Sequence, residues 1–136
     1  MSAQILDGKA LSKKIRARVK ATIAQIRTDH DVEPTLAIVR AGDDPASVWY
    51  TRTITRAGER AGIHVQQVIL SGDISEAEMV QQVAQLSRDD AVHGIILQEP
   101  YPESVNPEAV VNALAPEKDI DGVHPLNAGL LLAGRP

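Results

Sequence analysis

Three short runs rich in branched aliphatic residues constrain this chain more than anything else in it: residues 35–40 (TLAIVR), 64–70 (HVQQVIL) and 94–98 (GIILQ). Each has the length of a strand, and the first and last are apolar enough to be buried on both faces. Between and before them the pattern changes period. From Asp7 to about Arg27, Leu11, Ile15, Val19, Ile23 and Ile26 recur at the three-and-four spacing of an amphipathic helix, with Lys13, Lys14, Arg16, Arg18 and Lys20 on a solvated face. Further helices are predicted over 45–61 and 75–88, and a short one over 106–113. Strands alternating with helices at this spacing imply parallel pairing through right-handed crossovers. The expected fold is a three-layer αβα sandwich around a mostly parallel sheet, a single domain over residues 1–136.

Local signals agree with this division. Asp44 stands where an N-cap belongs, and Pro45 takes the first helical position, where a missing N–H costs nothing. Gly62 supplies a left-handed stop. Ser75 with Glu78 three residues later has the capping-box pattern.

In open parallel sheets ligands bind beyond the carboxyl ends of the strands, which directs attention to the loops after Arg40, Leu70 and Gln98. The last of these, Gln98-Glu99-Pro100-Tyr101-Pro102, sets a carboxamide, a carboxylate and a phenol between prolines that stiffen it. Trp49 and Tyr50, two of the chain's three aromatic residues, follow the first loop; by themselves they read more readily as core packing than as a ligand platform. Asp119 and Asp121 precede Gly122, and an extended backbone would point both carboxylates to one side. A turn with a helix cap, or a cation site lacking further oxygen ligands, are the other readings of that pair. His30, His64 and His93 read as surface or strand-edge residues, and His124 as support for the Asp121 turn.

A net charge of −4 argues against a surface built to neutralise nucleic-acid phosphates. With no cysteine there is no disulfide frame or thiolate chemistry, which suits a cytoplasmic setting, and no run of apolar residues is long enough to span a membrane.

Four segments, ILDGKALSKKIR from Ile5, GDDPASVWY from Gly42, GIILQEPYP from Gly94 and PEKDIDGVHPLNAGLL from Pro116, together resemble one family over nearly the whole chain. It is the folate-binding domain of methylenetetrahydrofolate dehydrogenase/methenyltetrahydrofolate cyclohydrolase. The resemblance implies oxidation of methylenetetrahydrofolate by hydride transfer to NADP or NAD, often followed by hydrolysis. It implies that Tyr50 borders the folate, that Gln98 sits beside the reacting carbon, that Asp121 holds the pterin edge, and that Pro100 and Gly122 also contact the substrate. The three side chains Tyr50, Gln98 and Asp121 are expected to converge on one tetrahydrofolate.

Two departures qualify what the resemblance implies. Bifunctional members carry a lysine four residues after the tyrosine, and Ile54 stands there; Arg52 and Arg56 lie away from Tyr50 around the helix and cannot replace it. The cyclohydrolase step is therefore expected to be absent or severely impaired. The family's dinucleotide-binding domain is also expected to be missing, since no Gly-x-Gly-x-x-Gly turn follows any strand. The chain is thus expected to need a partner supplying that domain or to form a homodimer, burying Leu130, Leu131 and Leu132. A degenerate, non-catalytic folate-binding or interaction module is the alternative. Glu99 and Tyr101 replace the leucines usual in the family loop.

Overall fold

A computed structural model of the chain describes residues 5–135; Met1 to Gln4 and Pro136 lie outside the described residues. Three strands, β1 (Thr35–Ala41), β2 (His64–Leu70) and β3 (Gly94–Gln98), form one sheet in the order β2-β1-β3, all parallel. The helices are α1 (Gly8–His30), α2 (Pro45–Ala61), α3 (Glu76–Arg88), α4 (Pro107–Asn112) and α5 (Pro125–Leu132). This is the expected single layered α/β domain.

Register explains which side chains reach which layer. Arg40 lies beside Ile69 of β2 and Gln98 of β3, and Ile38 lies beside Gln67 and Ile96. Because successive strand residues alternate between faces, Ala37, Val39 and Ala41 pack with Ile95 against Met79 and Val83 of α3, Val110 of α4, and Leu114. The other face, with Ile38, Arg40 and Gln98, lies beneath α2, whose buried residues are Ser47, Thr51 and Gly58. An added Cβ at Gly58 would come within 2.6 Å of Val65, so glycine is what lets the helix sit this close to β2.

The caps form as the residue types require. Asp44 Oδ1 accepts from the Ser47 backbone N–H at 2.8 Å, Gly62 closes α2 at φ 88°, and Ser75 and Glu78 form the reciprocal capping box. Helix α1 runs three residues beyond its expected end, to a left-handed Asp31 at φ 52°, and buries none of its residues. The first part of its apolar stripe stays in solvent, with Leu11 59% and Ile15 46% exposed, while Val19, Ile23 and Ile26 are half-buried. Helix α5 was not predicted: its LNAGLLL run carries too weak a periodicity, and His124, whose Nδ1 accepts from the Leu126 N–H at 3.1 Å, is an uncommon cap. No helix among the described residues is long and apolar enough to cross a membrane.

Candidate active site

At the carboxyl end of the sheet the first turn of α2 faces the loop that follows β3. The cleft between them has a volume of about 570 Å³ and is lined by Asp44, Ala46, Ser47, Trp49, Tyr50, Gln98, Glu99 and Pro100. Trp49 is 67% and Tyr50 49% exposed, so neither ring belongs to the core and both are open to a ligand. Tyr101 behaves oppositely. Its ring packs against the core cluster, and burial, reinforced by the charge on Glu99, pushes its phenol up to about 12.

The loop is tied to the helix at one atom. The hydroxyl of Ser47, only 3% exposed, donates to the Glu99 carbonyl oxygen at 2.6 Å, and Gln98 Nε2 donates to the same oxygen at 3.0 Å. The Glu99–Pro100 peptide is cis. With its amide nitrogen turned back onto the backbone, the Gln98 carboxamide has an oxygen that receives no hydrogen bond from the described residues. Ser47 thus positions both Gln98 and Pro100, a role that no sequence signal announced: a serine at the third position of a capped helix is ordinarily just a helix start. Asp44 at the rim has its carboxyl held below the usual range, first by the Ser47 N–H.

The second group of expected residues goes elsewhere. Asp119 bridges to Ile95 in parallel register and so extends the sheet beyond β3. Partial burial would raise its carboxyl, but hydrogen bonds from the His124 N–H at 2.9 Å, Asn127 Nδ2 at 2.9 Å, Val123 and Gly122 outweigh that and hold it below the usual range. Asp119 is therefore the hub of the turn, while Asp121 is exposed. Asp121 and Gly122 line a separate hollow of about 480 Å³ with Asp119, Asn127, Leu130 and Arg135. The structure brings Tyr50, Gln98 and Pro100 into one cleft and does not bring Asp121 or Gly122 to its walls. Two aspartates of one short motif diverge because the backbone bends at Ile120 and Asp121 instead of staying extended. Ile54, one turn after Tyr50, is half-buried and does not line the cleft. No group of three or more histidine or acidic side chains that would hold a metal occurs among the described residues.

The model of one protein family, the tetrahydrofolate dehydrogenase/cyclohydrolase catalytic domain, matches residues 6–121. The chain belongs to that family. It is 48% identical over all of its 136 residues to the bifunctional protein FolD of Chloroflexus aurantiacus, covering 48% of that protein. Among solved structures it resembles a 5,10-methylenetetrahydrofolate dehydrogenase from the silkworm Bombyx mori, with TM-score 0.93 and 39% identity over 99% of this chain and 47% of that one. It also resembles the Trypanosoma brucei N5,N10-methylenetetrahydrofolate dehydrogenase-cyclohydrolase (FolD), complexed with NADP cofactor and inhibitor, with TM-score 0.88 and 27% identity over 96% and 45% of the two chains. The chain thus spans about half the length of its relatives. The solved Trypanosoma brucei structure holds a dinucleotide, NADP. The described residues do not fit one. The loops after the three strands carry Asp43, Asp44, Asp73 and Glu99, four carboxylates where a pyrophosphate would need backbone N–H groups and neutral or positive surroundings.

Proposed function

We propose that this chain is the one-carbon folate half of a methylenetetrahydrofolate dehydrogenase, binding 5,10-methylenetetrahydrofolate and orienting it for loss of hydride. The observation that carries the reading is the cleft that pairs the exposed Tyr50 ring with the Gln98 carboxamide at the carboxyl end of a parallel sheet. In it Tyr50 and Trp49 offer a flat apolar wall for a reduced pterin and its aryl linker. Pro100 closes the opposite side. Gln98, oriented through the Glu99 carbonyl, presents its oxygen towards the bound one-carbon unit. The nicotinamide cofactor, NADP or NAD, has no fitting site among the described residues, and no step is assigned to it. High identity to a protein named bifunctional, along the whole chain, supports the enzyme over the non-catalytic module.

Asp121 is a separate part of the proposal. Exposed and free of hydrogen bonds within the described residues, its carboxylate is suited to accept from the amino group and ring N–H of a pterin, with Gly122 giving the backbone close approach. Ile54 supplies no proton to a water attacking the methenyl carbon, help worth roughly 100- to 10,000-fold, so cyclohydrolysis is impaired. Exposed Leu131 and Leu132, 79% and 91%, support cover by a second copy or by a dinucleotide-binding partner, and sedimentation at micromolar concentration should give a species heavier than the monomer. A cytoplasmic setting belongs to the same reading.

Titration with tetrahydrofolate tests it. Trp49 is the only tryptophan and lines the cleft, so its emission should change saturably. Tyr50→Ala and Gln98→Ala should each weaken the midpoint at least tenfold, and Asp121→Asn should weaken it if the pterin reaches the second hollow. An unchanged emission, together with unaltered protein stability in tetrahydrofolate, would overturn the folate assignment.

A further inference from the structure

Beneath α2, the last row of the sheet sets Ile69, Arg40 and Gln98 side by side. Gln98 faces the cleft on the β3 flank of the helix. On the β2 flank lies a smaller hollow of about 120 Å³, lined by Arg40, Val48, Thr51, Arg52, Gln67 and Ile69. Arg40 is 5% exposed. A guanidinium cannot relieve its burial by losing a proton, so its charge must be met by an acceptor.

What meets it within the chain is meagre. Nη1 donates to the Gly42 carbonyl oxygen and lies 3.4 Å from Asp43 Oδ1, but that carboxylate is 93% exposed and screened by solvent. Nε is shielded from solvent and has no acceptor among the described residues; the hydroxyl of Thr51, itself 3% exposed, is in the same position. No carboxylate lines the hollow, while a second guanidinium, Arg52, does. Two positive charges therefore border a space of roughly four water volumes, with the two unused polar groups shielded behind its wall.

We propose that this hollow binds a small oxyanion, a phosphate, a sulfate or a single carboxylate group, held by Arg40 and closed over by Arg52. Since Nη1 is engaged with Gly42 and Nε is shielded, Nη2 is the donor that Arg40 has left for the anion. Water would satisfy the hydrogen bonds and leave the charge uncompensated, and uncompensated buried charge is the costlier defect. The size of the hollow excludes anything much larger than the anion itself. The site stands on the opposite flank of α2 from the folate cleft and does not depend on the folate reading.

The test follows the Arg40 Nε–H resonance of the 136-residue chain, with its thermal midpoint, during separate titrations with inorganic phosphate, sulfate and formate, chloride keeping the ionic strength constant. The resonance should shift saturably with at least one anion and the midpoint should rise. A stronger response to phosphate or sulfate assigns a tetrahedral ligand, and one to formate a carboxylate. Arg52→Ala, a change at an exposed side chain, should weaken the response at least fivefold. Arg40→Leu should abolish it, while melting no lower than the parent in anion-free buffer because a buried charge has been removed; should that variant fail to fold, Arg52→Ala carries the comparison. No saturable shift with any of the three anions, as for a hollow holding only water, or an Arg52→Ala response equal to the parent's, would overturn the proposal.

Discussion

The Glu99 carbonyl oxygen, which accepts from both Ser47 and Gln98, makes the coupling of helix and loop measurable. Removing the hydroxyl in Ser47→Ala deletes a 2.6 Å hydrogen bond made by a side chain 3% exposed. The acceptor keeps its second donor, Gln98 Nε2 at 3.0 Å, so it is not orphaned. The expected loss is therefore that of one ordinary hydrogen bond, about 1 kcal/mol, and not the larger penalty of a stranded buried group. For a chain of this size that lowers the thermal midpoint by roughly 3–4 °C. Gln98→Ala should cost less, because its hydrogen bond is open to solvent. In the double variant both donors of the one acceptor are gone, so the combined loss should depart from the sum of the single losses by about 1 kcal/mol. Urea denaturation of the four proteins measures this cycle, and tetrahydrofolate titration of Ser47→Ala should show weaker binding although Ser47 itself is sealed behind the loop. Additivity within about 0.5 kcal/mol, or a Ser47→Ala variant that binds tetrahydrofolate as the parent does, would refute the positioning role.

Other consequences can be measured with little effort. Gly58→Ala gains helix propensity of up to about 1 kcal/mol but drives a Cβ to 2.6 Å from the stiff Val65 side chain; net destabilisation of about 1 kcal/mol is expected in urea, relieved when Val65→Ala is added. Phenolate absorbance should show Tyr101 titrating near 12, and because burial outranks Glu99 as the cause, Glu99→Gln should lower that value only slightly. The folded value lies above the unfolded one, so this contribution to stability is complete below pH 10 and disappears as pH rises towards 12. Asp119 has the opposite sign. Its folded carboxyl is depressed, so its contribution is complete above the unfolded value near 4 and is lost as pH falls through the folded one; Asp119→Ala should remove that acid sensitivity from the turn at 119–127, read by amide exchange. Ile54→Lys should bring methenyltetrahydrofolate hydrolysis above the spontaneous rate, and a variant that folds and binds tetrahydrofolate yet stays silent would refute the place given to that position.

Much of the layered fold was legible in the residues because its signals are local. Periodicity, the Asp44–Pro45 start, the Gly62 stop and the Ser75–Glu78 box each concern side chains within one turn of their targets, so short-range sterics and hydrogen bonding fix them wherever the segment ends up. Strand polarity followed from the crossovers. The pairing order β2-β1-β3 and the register that sets Arg40 beside Gln98 are not local, and no pattern in 35–40 or 94–98 encodes them. For the same reason the aromatic pair could not be read from sequence: only packing reveals that Trp49 and Tyr50 face solvent at a cleft while Tyr101, in the more suggestive loop, turns into the core. Ser47 carried no motif because its partner is 52 residues away. Asp119 and Asp121 look alike in sequence, and the bend of the backbone between them makes one a buttress and leaves the other free. What the residues determined by themselves is which segments, α5 apart, are strands and helices and which family the chain resembles; what tertiary structure decided is which polar groups share a space, since that depends on distances between segments that local interactions leave open.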